Sequence, residues 1–280
     1  MIRNIKISKK RYIKQYIFNI FCITSCLMGS FGLFSILFSL IQNGIPAINK
    51  NIFIKNTPPP GMEGGLSNAI IGSICMTVFA MLIAMPLGIF IATYLVDYSR
   101  SRFSKILRFI NDMLLSSPSI VIGLFVYISV VRTTGHFSGF AGSIALSIIA
   151  LPMIVRSTED VLYLVSPMLK ESALSMGIKN WIVTIRIVYK VVIQGIITAC
   201  LLALSRIAGE TAPLLFTALN NQFDNQNFFK PMASLPVVIF QYAMSPYQNW
   251  RSLAWSGALI ITMAVLFLNV LARMFAKDSN

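Results

Sequence analysis

Arg206 and Glu210 stand four residues apart in "LSRIAGETAPLLF" (204–216), directly after the nearly uncharged run "VVIQGIITACLLA". On a helix that spacing puts both side chains on one face. A guanidinium keeps its proton when desolvated and presents a planar fork, which suits paired hydrogen bonds to an oxyanion. A carboxylate repels the same anion. Its role is then to hold the arginine between passages, or to weaken the grip so that the anion leaves. In "SSPSIVIG" (116–123), Ser117 and Ser119 flank Pro118. Their hydroxyls have two readings: donors to a passing anion, or caps of a helix. The rest of the reactive set is thin. His136 is the sole histidine and has no obvious partner, and Cys22, Cys26, Cys75 and Cys200 lie inside apolar runs and read as small buried hydrophobes. No zinc-ligand cluster or nucleophile elbow is legible, which argues against an enzyme and against a metal site.

The elements that carry these residues follow from composition. Of 280 residues, 56% are hydrophobic and 11% charged, where a soluble domain has about a quarter charged. So few ionised groups do not cover a surface that faces water, and an all-α polytopic membrane protein is expected. A crossing helix needs about 20 apolar residues. Six segments qualify: Ile17–Ile41, Ala69–Val96, Met113–Val131, Phe137–Val155, Val191–Ala208 and Leu253–Phe275. The balance of 23 basic to 9 acidic residues gives a net charge of +14. The basic residues fall in short gaps between apolar runs, a pattern of membrane topology and not of nucleic acid binding. With an inside N-terminus, residues 1–16, 97–112, 156–190 and 273–280 hold 17 lysines and arginines against five on the other side, Arg206 left aside. Both termini are therefore expected to be cytoplasmic. The first span is too long for a signal-peptide core and reads as a retained anchor.

On this topology Arg206 lies roughly 22 Å from the cytoplasmic boundary in a core of about 30 Å. Two readings follow: an arginine that snorkels to the outer surface, or one that faces a polar interior. Gly209 and Pro213 would permit local unwinding beside it. Proline and glycine also interrupt the apolar runs at "AMPLGIF" (84–90), "SSPSIVIG" and "IALPMIV" (149–155), as expected of a pathway or of kinked packing. "NTPPPGMEGG" (56–65) is an outside turn region, with Asn68 just beyond it as a helix cap. No Gly-Lys pair exists in the chain, so it has no phosphate-cradling loop for ATP.

One long segment, 156–190, is too charged to span. Apolar residues at helical spacing fit two short amphipathic helices broken near Pro167 and Gly177, either resting on lipid or presented to a partner. Within it "ESALSMG", Glu171 to Gly177, resembles the loop through which ABC-importer permeases dock on their ATPase. Glu171, Ser172, Ala173 and Gly177 take the docking positions, with Ser172 where alanine is usual and "IVYK" where an Ile-Leu-Pro element would follow.

"SRIAGETAPLLFTA", "GGLSNAIIGS" (64–73), "SSPSIVIGLFVY" (116–127) and "SLPVVIFQYAMSPY" (234–247) together resemble the PstA-type permease subunits of phosphate ABC transporters, over roughly residues 63 to 275. The resemblance implies a type I ABC-importer permease (MetI-like) fold. Its expected organisation is a basic tail (1–16), an anchor and external loop (17–62), a permease domain (63–275) holding the coupling loop 156–190, and a short tail (276–280). It implies import of inorganic phosphate past Arg206, Glu210, Ser117 and Ser119. It also implies a second related permease subunit, a cytoplasmic ATPase dimer that binds ATP and Mg, and an extracytoplasmic phosphate-binding protein. No cofactor is expected in this chain. The other substrate reading is a different oxyanion, such as molybdate or sulfate.

Overall fold

Small residues at four-residue intervals set how the helices pack. On α3 (Ser67–Asp97), Ala80, Ala84, Gly88 and Ala92 continue a buried stripe that begins at Met76. Against it lies α7 (Gly139–Tyr163), with Leu146, Ile149, Ala150 and Ile154 in the same core. A Cβ on Gly88 would sit 2.7 Å from Cγ2 of Ile154, so α3 is within reach of that side chain only because residue 88 has none. In lipid there is little hydrophobic drive between helices, and such close contact is what holds them.

The computed structural model describes residues 9–223 and 227–277. Residues 1–8 of the expected basic tail and 278–280 of the C-terminal tail lie outside the described residues. Among the described residues the regular elements are helical, and none is a strand. Around the α3–α7 pair are α1 (Lys9–Gly44), the single-turn α2 (Asn51–Ile54), α4 (Arg102–Ser116), α5 (Ser119–Val126) and α6 (Arg132–Thr134). Then come α8 (Pro167–Ser175), α9 (Asn180–Val183), α10 (Tyr189–Ala208), α11 (Ala212–Thr217), α12 (Leu235–Ala243) and α13 (Gln248–Lys277). Two π-helical turns, Tyr127–Val131 and Thr184–Val188, join α5 to α6 and α9 to α10.

Among the described residues five continuous helical stretches are long and apolar enough to cross a membrane, and a sixth candidate is a bent pair. That pair corrects the expected third span, Met113–Val131. Pro118 lacks an amide hydrogen and pushes Ser117 into extended backbone (φ −71°, ψ 133°), so α4 stops at Ser116 and α5 starts at a 106° bend. Met113 belongs to α4, which exposes Phe103, Ile106, Phe109 and Ile110 beside Arg102, Lys105 and Asp112, while Ser104 and Asn111 are buried against the protein. Pro86 and Pro152, by contrast, do not interrupt anything: α3 and α7 run through them. The segment 156–190 is also divided differently. Its first residues extend α7 to Tyr163 and its last belong to the α9–α10 stretch, leaving α8 as the one separate helix between breaks at Pro167 and Gly177.

One end of the bundle is laced by backbone and side-chain hydrogen bonds. Ser138, Gly139 and Phe140 at the start of α7 donate backbone amides to Thr217, Lys230 and Phe228. Asn68 does not cap α3. It is buried, and its amide accepts from the Thr57 amide and donates to Thr57 Oγ1 and to the Asn221 carbonyl. Asn68→Ala would strand those groups and is expected to cost about 2 kcal/mol, read as a lower unfolding temperature of the purified complex. Tyr242 of α12 donates to the Pro58 carbonyl and stacks on Trp250 at the start of α13. Burial pushes the Tyr242 phenol up to about 12, so it stays a donor across the physiological range.

α1 stands apart from this body. None of its most apolar stretch is buried, and it meets α13 near Gly44, which lies against Leu259 and Trp255. Cys22 and Cys26 are consequently exposed on α1 and not buried as expected, Cys75 is half-buried, and Cys200 is buried in α10.

Candidate functional site

α10 ends two residues after Arg206, and this changes the geometry of the Arg206–Glu210 pair. Gly209 is the C-cap, and Glu210 falls in the break before α11, which Pro213 reopens as one of its first helical residues. The two are thus separated by a helix terminus and do not share a helix face. Arg206 is exposed on the surface of the single chain and Glu210 is half-buried. Among the described residues neither makes an ion pair or a side-chain hydrogen bond. A guanidinium at the last turn of a helix is favoured by the helix dipole, which partly offsets holding a charge so deep in an apolar stretch.

A second break is linked to the first through the short helices that follow them. α5, which starts at Ser119, packs on α11. Their contact is tight enough that a Cβ on Gly123 would lie 2.7 Å from Cα of Pro213. Ser117 and Ser119 are half-buried, and neither caps α5, whose N-cap is Pro118. The structure therefore sets the Ser117–Pro118 break and the Gly209–Thr211 break at the ends of two short helices that pack together. Gly123→Ala would force those helices apart. It is expected to destabilise the complex by about 2 kcal/mol and to reduce transport with it, read by thermal unfolding alongside uptake.

Arg206 also continues a stripe. Gln194, Thr198, Leu202 and Arg206 recur at four-residue steps along α10. The first three line a groove of about 550 Å³ between α10 and α7, together with Ser157 and Asp160. Polar groups at those steps in an apolar run are the signal that could have drawn attention to Gln194 and Thr198 from the sequence. On the other side of α10, against α3, a cavity of about 700 Å³ is apolar and lined by residues such as Met85, Phe90, Cys200 and Leu204. The two sides of this helix are chemically distinct.

The residues expected to dock lie elsewhere, at the end of the bundle where α3 stops and α7 runs out. Glu171 and Ser172 are exposed on α8, and Ala173 is its one buried residue. Gly177 has φ +77°, the left-handed conformation that ends a helix, and its amide bonds the Leu174 carbonyl. The glycine of that stretch thus terminates the helix that presents Glu171. Ser172 turns its hydroxyl back to the Met168 carbonyl at 2.7 Å, so the serine leaves no unsatisfied group on the exposed face.

Two ion pairs at this end escaped the sequence reading. Arg108 of α4 donates to Glu159 of α7 at 2.7 Å, to Tyr163 Oη at 2.7 Å and to the Leu95 carbonyl at 3.0 Å. Lys170 of α8 meets Asp97, the last residue of α3, at 2.5 Å. Each pair joins residues more than 50 positions apart, so neither has a local sequence signature. No group of three or more potential metal ligands is found among the described residues.

Comparison with known proteins now decides the family. Residues 84–279 match the model for the "Binding-protein-dependent transport system inner membrane component". The chain is 51% identical to the phosphate transport system permease protein PstA of Pasteurella multocida over 253 residues, 90% of each chain. It is 50% identical to the protein of that name from Haemophilus influenzae (91% of each), and 34% identical to that from Mycobacterium leprae (96% of this chain, 90% of the relative). This chain belongs to the binding-protein-dependent inner membrane component family, among the PstA-type permeases. Solved structures agree on the fold of this PstA-type chain. It superposes on a chain of a bacterial alginate ABC transporter with a TM-score of 0.68 at 11% identity, covering 96% of each. On a chain of the inward-facing MetNI methionine ABC transporter the TM-score is 0.60 at 15% identity, over 76% of this chain and 93% of that one. The fold is that of a MetI-like ABC-importer permease. It is a multi-pass membrane protein.

Proposed function

We propose that this chain is a membrane-spanning permease subunit of an ATP-driven importer of inorganic phosphate. The observation that carries the reading is Arg206: an unpaired guanidinium, exposed at a helix break within an apolar stretch, in a chain about half identical to phosphate permeases. In lipid such a charge needs a polar surrounding, which a second related permease subunit across a shared pathway would provide. Phosphate carries on the order of −1.5 charges near neutrality, by analogy with a phosphoryl group, and the guanidinium fork suits its oxygens. Glu210, Ser117 and Ser119 line the same pathway. Glu210 weakens the hold of Arg206 on the anion, and the two serines donate to it.

The chain is a conduit and a lever and does not hydrolyse ATP. ATP and Mg belong to a cytoplasmic ATPase dimer, on which α8 docks through Glu171, Ser172, Ala173 and the turn at Gly177. An extracytoplasmic binding protein delivers phosphate to the opposite end. The distribution of lysine and arginine supports a cytoplasmic side for the α8 end and for both termini.

ATP hydrolysis by the assembled complex, with its binding protein, tests the substrate. Stimulation by phosphate and not by sulfate or molybdate is expected. Stimulation by one of those oxyanions in place of phosphate would contradict the reading.

A further inference from the structure

The docking helix is attached to the rest of the chain by very little. Ala173 is the one fully buried residue of α8 and Lys170 is half-buried, and the helix lies beside a cavity of about 250 Å³ lined by Thr93, Asp97, Tyr163, Lys170 and Thr184. The Lys170–Asp97 ion pair bridges that space, with side chains 27% and 16% exposed. Both charges sit where they oppose their own helix. Asp97 closes α3, where the dipole disfavours an anion, and Lys170 is the fourth residue of α8, where it disfavours a cation. Neither position serves local helix stability. They serve each other.

What the pair connects is tied to several helices on one side. Two residues before Asp97, the Leu95 carbonyl accepts from Arg108, which is bonded to Glu159 of α7. One turn before it, Thr93 shares a 2.7 Å hydrogen bond with Tyr189, the first residue of α10. The end of α3 is thereby tied to α4, α7 and α10, and α8 is tied to the end of α3.

We propose that the Asp97–Lys170 ion pair is the link that passes movement of α8 to α3, and so to the bundle that holds Arg206. Lys170 is a positioning residue: it touches no solute and acts through Asp97. The proposal rests on α8 as the ATPase-docking helix. A packed interface would slide under load, whereas a half-buried charge pair across a cavity pulls as well as pushes, so one contact can serve both strokes of a cycle.

The test uses the full complex in lipid nanodiscs and proteoliposomes, measuring solute imported per ATP hydrolysed. Asp97→Asn and Lys170→Gln are expected to assemble and hydrolyse ATP, while import per ATP falls about tenfold, within the range of coupling between linked sites. The swap of Asp97→Lys with Lys170→Asp is expected to restore most of it. Three results overturn the proposal: native coupling in the single variants, a swap no better than the singles, or single variants that fail to assemble, which would make the pair an anchor of the fold. The native complex separates this from the phosphate reading. If it imports another oxyanion, the ratio is measured with that solute and the link stands or falls on its own.

Discussion

Arg206→Gln is expected to lower phosphate import by about a hundredfold in a complex that assembles and hydrolyses ATP as the native one does. Hydrogen bonds between a guanidinium and an anion are worth about 3 kcal/mol at the upper end, and each 1.4 kcal/mol is about tenfold. Arg206→Lys keeps the charge and loses the planar fork, so an intermediate loss of about tenfold is expected. Radiolabelled phosphate uptake into proteoliposomes reads both. A snorkelling anchor predicts something else, with both variants near native because the boundary to water is close. Arg206 lies in the last turn of α10, before the Gly209–Thr211 break, and has no ion-pair partner among the described residues, so the two outcomes are cleanly separable.

The largest effect on stability is expected at Arg108. Glu159 is 3% exposed and its carboxylate is held by Arg108. Arg108→Gln would leave that charge buried among apolar neighbours, at a cost of about 3 kcal/mol. Replacing both, Arg108→Met with Glu159→Met, strands no charge and is expected to recover most of the loss, so the two substitutions are strongly non-additive. Thermal unfolding of the purified complex reads this double-mutant cycle. Additive losses would mean that the pair contributes little and that Arg108 acts through the Leu95 carbonyl instead.

Much of this architecture is legible in the chain because lipid imposes it. A membrane allows few ways to satisfy the backbone, so apolar length alone finds the five continuous candidate spans and fails only at the bent pair. Gly177 is legible too, as a helix terminator. What misleads is proline. Pro86 and Pro152 have surroundings that keep the helix going, while Pro118 lies where a chain turning through 106° finds a neighbour for both arms. Local sequence does not distinguish these cases, because the difference lies in what packs outside the helix.

The site divides in the same way. The residue types at 206 and 210 name a chemistry, but their spacing misplaces them, since a four-residue interval implies one helix face only while the helix lasts, and it ends at Ala208. The Asp97–Lys170 and Arg108–Glu159 pairs were out of reach. Each joins segments brought together by the fold, and charges near span ends look like ordinary membrane-boundary residues until a partner is seen. Asn68 shows the converse: a residue type that suggests a cap serves instead to tie two distant loops.

The measurement that bears most directly on the whole account is radiolabelled phosphate uptake in bacterial cells lacking their own phosphate importers, carrying this chain with its proposed partners. Uptake that needs this chain, the ATPase and the binding protein together, and that survives excess sulfate and molybdate, is the predicted result. A fully assembled, ATP-hydrolysing complex that imports no phosphate would contradict it.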